Sequence, residues 1–117
     1  MPDRALVLTV DHGHHGAVVL RLTGALDHLT ADRFRRAFEE IPKRAGVPLV
    51  LDMSRLVFCD SVGITELVVA HRVSLTAGTS LLLVGVGREL GHILELTGVD
   101  RVLSTGEGTY GAPAADA

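Results

Sequence analysis

Near its N-terminus the chain alternates between apolar and polar positions. Leu6, Leu8 and Val10 fall on one side of an extended segment, and Val18, Leu20 and Leu22 on one side of a second. A period of two is that of half-buried strands. Between them Asp11-His12-Gly13-His14-His15-Gly16 is polar and carries two glycines, which predicts a hairpin. The period then changes. Phe34, Ala37, Phe38 and Ile41 recur at i, i+3, i+4 and i+7. This predicts an amphipathic helix with Thr30 as N-cap, Asp32 favoured by the dipole in the first turn, and an end marked by Pro42 and Gly46. Residues 48–53 hold Leu49-Val50-Leu51, apolar without alternation, the pattern of a strand covered on both faces. Residues 61–77 predict a helix with Ile64, Leu67, Val68, His71 and Leu75 along its inner side and Gly78 as its C-terminal cap. A continuous apolar strand over 80–84 follows. Next come a short helix over 88–97 that buries Leu90, Ile93 and Leu94 and closes at Gly98, and a last short strand at Val102-Leu103.

Two strands followed by alternating helices and strands predict a single α/β domain. Its sheet is mixed, mostly parallel, of about four to five strands packed with helices. The domain spans 5–104. Residues 105–117 are Gly, Ala, Thr and Pro with few others, too little to bury, and are expected to be a flexible C-terminal tail. Helix N-termini and strand C-termini then meet along one edge of the sheet, where sites form in open sheets.

Bulk properties narrow the function. A chain of 117 residues suits one domain, and 47% hydrophobic residues suffice for a core. The net charge of -3 leaves no basic footprint for nucleic acid, and Arg33, Arg35 and Arg36 read as a solvated helix face. No apolar run approaches the roughly 20 residues of a membrane span, and Met1-Pro2-Asp3-Arg4 does not start like a signal peptide. Cys59 is the only cysteine, so no disulfide forms within the chain, and a cytoplasmic location is expected. The lack of Trp and the single Tyr leave no aromatic platform for bases or sugars.

The segment with the most chemical content is Asp60-Ser61-Val62-Gly63. Asp60 or Ser61 can cap free amides at a helix start, and Gly63 permits close approach of another backbone. A hydroxyl at a helix N-terminus is also well placed to accept phosphate, because dipole and amides stabilise the added charge. Other features have plainer readings. Gly85-Val86-Gly87-Arg88-Glu89-Leu90-Gly91 is one residue longer than a dinucleotide loop and reads as a turn into a helix. His12, His14 and His15 lack the acids or thiols that define a metal geometry. His71 reads as a packed helix residue, and Cys59 beside Asp60 as a small buried hydrophobe. No G-x-S-x-G elbow accompanies Ser61, so no catalytic residue and no cofactor are expected.

Three stretches resemble the STAS domain family, in particular bacterial anti-sigma factor antagonists. Leu51-Asp52-Met53-Ser54 followed by Asp60-Ser61-Val62-Gly63 is similar to the family's L-D-L-S and D-S-S-G signature. Gly24-Ala25-Leu26-Asp27-His28-Leu29-Thr30-Ala31 resembles its G-x-L-D-x-x-T-A, and Leu94-Glu95-Leu96-Thr97-Gly98-Val99-Asp100-Arg101 its L-x-L-T-G-L-D-R. The resemblance implies a protein that binds an anti-sigma factor of the serine-kinase type and frees its sigma factor. Phosphorylation at the start of the helix would break the complex and a phosphatase would restore it. It also implies a partner surface of Asp27, His28, Asp60, Ser61, Val62, Gly63 and Thr65. Val62 stands where the family usually carries its phosphoacceptor, so Ser61 is the candidate acceptor in this chain. Three outcomes stay open: Ser61 is phosphorylated, the protein always binds, or it serves another partner. The alternative function is a STAS-type scaffold or ligand-sensing module unrelated to sigma factors.

Overall fold

The computed structural model of the chain describes residues 5–12 and 16–106. The two alternating segments become β1 (Leu6–His12) and β2 (Val18–Leu26), an antiparallel pair running from Leu6 opposite Gly24 to His12 opposite Val18. Helix α1 (Ala31–Glu40) leads to β3 (Leu49–Cys59), parallel to β2. Helix α2 (Ser61–Thr76) leads to β4 (Leu81–Val84), parallel to β3. Helix α3 (Arg88–Thr97) and a tight 3-10 turn at Val99–Arg101 lead to β5 (Ser104–Gly106), parallel to β4. The chain is one α/β domain around a five-stranded mixed sheet of order β1-β2-β3-β4-β5. The tip of the hairpin with His14 and His15, and 107–117 of the expected tail, lie outside the described residues.

Strand order dictates where the helices go. Each parallel strand is added on the same side of the one before it, and right-handed crossovers that always step in one direction place every helix on one face. The core agrees. Phe34 and Phe38 of α1, Leu67 and Ala70 of α2 and Leu94 of α3 share one cluster with Leu20, Leu22, Leu51, Met53, Leu81 and Leu83. The alternate residues Val19, Val50 and Val84 form a separate small cluster with Ala17, to which no helix contributes among the described residues. The central strands are thus buried on both faces, as their unbroken apolar runs predict, yet among the described residues helices cover only one.

Several expectations change. β3 continues past 48–53 because β2 goes on pairing with it beyond the end of β4. Its register slips between Arg21 and Thr23 and again between Gly24 and Ala25, with an extra residue in β3 each time. These are β-bulges. The inner side of α2 is Gly63, Glu66, Leu67, Ala70 and Ser74, and Leu75 is 57% exposed. Apolar residues ring this helix, with Val62, Val69 and Val73 outward, so periodicity cannot choose a face. The small residues choose it, because they let the helix come close to its neighbours. Val10, expected inward, is exposed on edge strand β1, and Ile93 sits at the rim while Leu94 alone of α3 is fully buried. Val102 and Leu103 belong to the turn, and the last strand starts at Ser104, two residues of it within the segment expected as tail. The three arginines of α1 are exposed but engaged. Arg33 donates to Leu6 O at 3.0 Å, Arg36 pairs with Asp32 at 3.0 Å, and Arg35 crosses to buried Glu66 of α2 at 2.6 Å.

Candidate functional site

β2 and β3 are parallel neighbours, so Leu26 and Cys59 end side by side. The segments that follow them, Asp27 to Thr30 and Asp60 to Gly63, are thereby brought together although distant in sequence. Asp60 joins the two. It is the N-cap of α2, and its Oδ1 accepts from Gly63 N at 2.9 Å. Its Oδ2 accepts from His28 N at 3.0 Å and lies 3.1 Å from His28 Nδ1. Burial pulls the Asp60 carboxyl upward, but the Gly63 amide and the ring and amide of His28 together outweigh it and hold the group below the usual carboxylate range. A third tie is Asp60 N donating to Leu26 O at 3.3 Å.

Gly63 makes this closeness possible. A Cβ there would press into Leu26 O and the Cys59 Sγ, so only glycine lets the first turn of α2 rest on the end of β2. Cys59 is half-buried beneath that turn, and burial, with Asp60 and Asp27 adding to it, pushes its thiol up to about 12. It stays a neutral thiol, as its apolar reading implies.

Among the residues expected at the partner surface, Ser61, Val62, Thr65 and His28 are exposed. Ser61 is the first residue of α2, Val62 is 40% exposed beside it, and the Thr65 hydroxyl donates to Ser61 O at 3.0 Å. Asp60 is half-buried and Gly63 is buried. Asp27 differs from expectation, since it is buried and presents no carboxylate to a partner. Its Oδ1 accepts from Leu29 N at 3.0 Å and from Thr30 N at 3.2 Å, so the side chain shapes the loop into α1. Thr30 occupies the N-cap position of α1, but its hydroxyl caps no helix amide. It donates to Ala25 O at 2.8 Å and accepts from Asp27 N at 3.0 Å. Backbone and loop compete for short polar side chains at such positions, and here the loop wins.

Sequence reasoning missed three exposed apolar residues near this site, Leu29 at 67% in the loop and Val57 at 77% and Phe58 at 46% toward the end of β3. Their places in loop and bulge leave no periodic signal. The other candidates lie apart from this site. Gly85 to Gly87 is a turn into α3, with Gly87 at its N-cap. His71 is half-buried on α2, and its Nδ1 has no hydrogen-bond partner. His12 is exposed at the end of β1. Among the described residues no three His, Cys, Asp or Glu side chains group to hold a metal ion, and no helix is long and apolar enough to cross a membrane. What the α2 start offers chemically is a pinned surface with two exposed hydroxyl residues, Ser61 and Thr65, the second already donating to Ser61 O, beside exposed apolar side chains.

The sequence profile of the STAS domain matches residues 9–111. The chain belongs to the STAS domain family. A relative, the anti-sigma F factor antagonist of Paenibacillus polymyxa, is 27% identical over 99 residues, 84% of each chain. The crystal structure of an anti-sigma factor antagonist from Mycobacterium paratuberculosis superimposes with a TM-score of 0.71 at 26% identity, over 86% of this chain and 85% of that one. The same fold occurs as a part, 19%, of the murine solute carrier 26 family member A9 anion transporter, with a TM-score of 0.68, 17% identity and 85% of this chain covered. The STAS fold therefore serves proteins of more than one kind.

Proposed function

We propose that this STAS domain is an anti-sigma factor antagonist, acting in the cytoplasm, that docks on an anti-sigma factor through the N-terminus of α2 and so frees a sigma factor. The observation that carries this reading is the Asp60 staple, which holds Ser61, Val62 and Thr65 outward on one pinned turn with His28 beside them. Likeness to relatives named as antagonists supports it. Val62 provides an apolar contact. Ser61 is the hydroxyl on which a kinase-type partner would act, with a phosphatase to reverse it. Phosphate there would add a charge of about -1.5 to -2 inside the docking surface and next to the Asp60 carboxylate, which disfavours the complex. The domain works by binding and not by turnover in this reading.

The test is to mix the protein with ATP-binding anti-sigma kinases of its host, measure complex formation by calorimetry, and map phosphate by mass spectrometry after adding ATP. A complex that Val62→Asp weakens at least about tenfold, with folding unchanged within about 0.5 kcal/mol, is expected. Phosphate on Ser61 makes the protein a switch, and a complex without phosphate makes it a constitutive antagonist. Failure to bind any such kinase, with or without phosphate, would refute the reading in favour of a scaffold or ligand-sensing module.

A further inference from the structure

A second polar site lies on the sheet face that no described helix covers. Thr9, Arg21 and Asp52 form one row across β1, β2 and β3, and Thr23 and Arg55 form the next. Strict alternation would turn Arg55 toward the helices. The bulge in β3 prevents this. Met53 and Leu56 both join the helix-side core, which leaves Ser54 and Arg55, consecutive in sequence, on the opposite face. Gly85 backs the bulge, since a Cβ there would strike Ser54.

Asp52 organises the cluster. It is 3% exposed, and its Oδ1 accepts from Ser54 N at 3.0 Å and from Ser54 Oγ at 2.7 Å. Its Oδ2 lies 3.6 Å from Arg21 Nε, while Arg21 Nη1 donates to Asp11 at 3.0 Å. Held from two sides, the Arg21 guanidinium keeps its Nη2 for a third partner. Arg55 has no acid paired to it among the described residues. The groove these groups line is open to solvent, has a volume of about 380 Å³ and is bordered by Thr9, Arg21, Leu22, Thr23, Asp52, Ser54 and Arg55.

We propose that this groove binds a tetrahedral oxyanion, phosphate or sulfate, either free or as the end group of a small metabolite. Two guanidinium groups and the Thr9 and Thr23 hydroxyls offer more donors than the two oxygens of a carboxylate can take. Their strand positions frame a patch of about 10 by 7 Å, room for one such anion and part of a group that carries it. Asp11 and Asp52 together outweigh Arg21 by one charge and Arg55 brings the sum to zero, so binding rests on directed hydrogen bonds and not on net charge, and affinity for the bare anion is no tighter than on the order of 1 mM.

The test is an amide-resolved NMR titration of the full chain with sodium phosphate, sodium sulfate and adenosine monophosphate, at ionic strength held constant with sodium chloride. Saturable shifts centred on Thr9, Thr23 and Arg55 are expected, with Ser61 to Thr65 unmoved. Arg55→Gln should weaken the response at least about tenfold, since a charge-assisted pair is lost. Arg55→Lys, which keeps the charge but loses the fork, should weaken it less, and circular dichroism checks that both variants fold. Tighter binding of the nucleotide than of phosphate would identify an esterified ligand, and the reverse a free anion. Shifts no greater than those from chloride, or shifts that survive Arg55→Gln in a folded protein, would overturn the proposal.

Discussion

Gly63→Ala separates general helix propensity from the packing that builds this site. Gly63 is a helical residue and does not have a positive φ, so its backbone conformation does not exclude alanine. By propensity alone the substitution should stabilise α2 by about 1 kcal/mol. The structure reverses the sign. The new methyl would meet the Leu26 carbonyl oxygen and the Cys59 Sγ, and the first of these is backbone at the end of β2, which cannot rotate away. Overpacking of this kind costs about 1–3 kcal/mol, toward the upper end where the obstacle is backbone. Relief requires α2 to lift from the sheet, which also weakens the Asp60 N to Leu26 O bond by about 1 kcal/mol. The net expectation is a loss of about 2 kcal/mol, or a drop in Tm of about 10 °C for a domain of this size. Urea unfolding followed by circular dichroism measures it, with the slope expected to stay unchanged. A midpoint equal to or above that of the parent would refute the argument that α2 is seated on Leu26. Because the lifted turn carries Ser61 and Val62, the variant should also bind the partner more weakly.

Other expectations follow from the same geometry. Asp60→Asn should destabilise by about 1 kcal/mol near neutral pH, since an amide has one acceptor oxygen and cannot accept from both Gly63 N and His28 N. The Asp60 carboxyl lies below its ordinary value of 3.8, so its contribution is full above that value and is lost as pH falls through the lower folded value. The gap between parent and variant should therefore close in acid, and a gap that widens there would contradict the assignment. Arg35→Met should destabilise more than the double change Arg35→Met with Glu66→Leu, because the single change strands a buried carboxylate. Thermal melts of the four-member cycle check this, and additive effects would count against a coupled pair. Cys59, with its thiol pushed up to about 12, should label with iodoacetamide at pH 8 far more slowly in the folded protein than in urea, and equal rates would show the turn to be open.

Much of this fold is legible in the amino-acid sequence. The switch from a period of two to one of 3.6, the unbroken apolar runs of β3 and β4, and glycines at the helix ends are local signals, and local sterics and solvation enforce them. They identified the antiparallel hairpin, three helices close to their bounds, and Asp60 to Gly63 as a helix start where a cap and a close approach meet. What escaped depends on contacts between residues far apart in sequence. The bond of His28 to Asp60 exists because parallel pairing ends β2 and β3 together, and no spacing in the chain encodes it. Asp27 reads as a surface acid, yet the loop into α1 takes its oxygen for backbone amides and buries it. The buried face of α2 was decided by what its neighbours could approach, because its sequence is apolar all round. The bulge that turns Arg55 onto the open face arises only when β3 is measured against β2. Periodicity reports how a segment meets water. Register, bulges and shared carboxylates arise only where segments meet each other, and the site of this STAS domain is built from those.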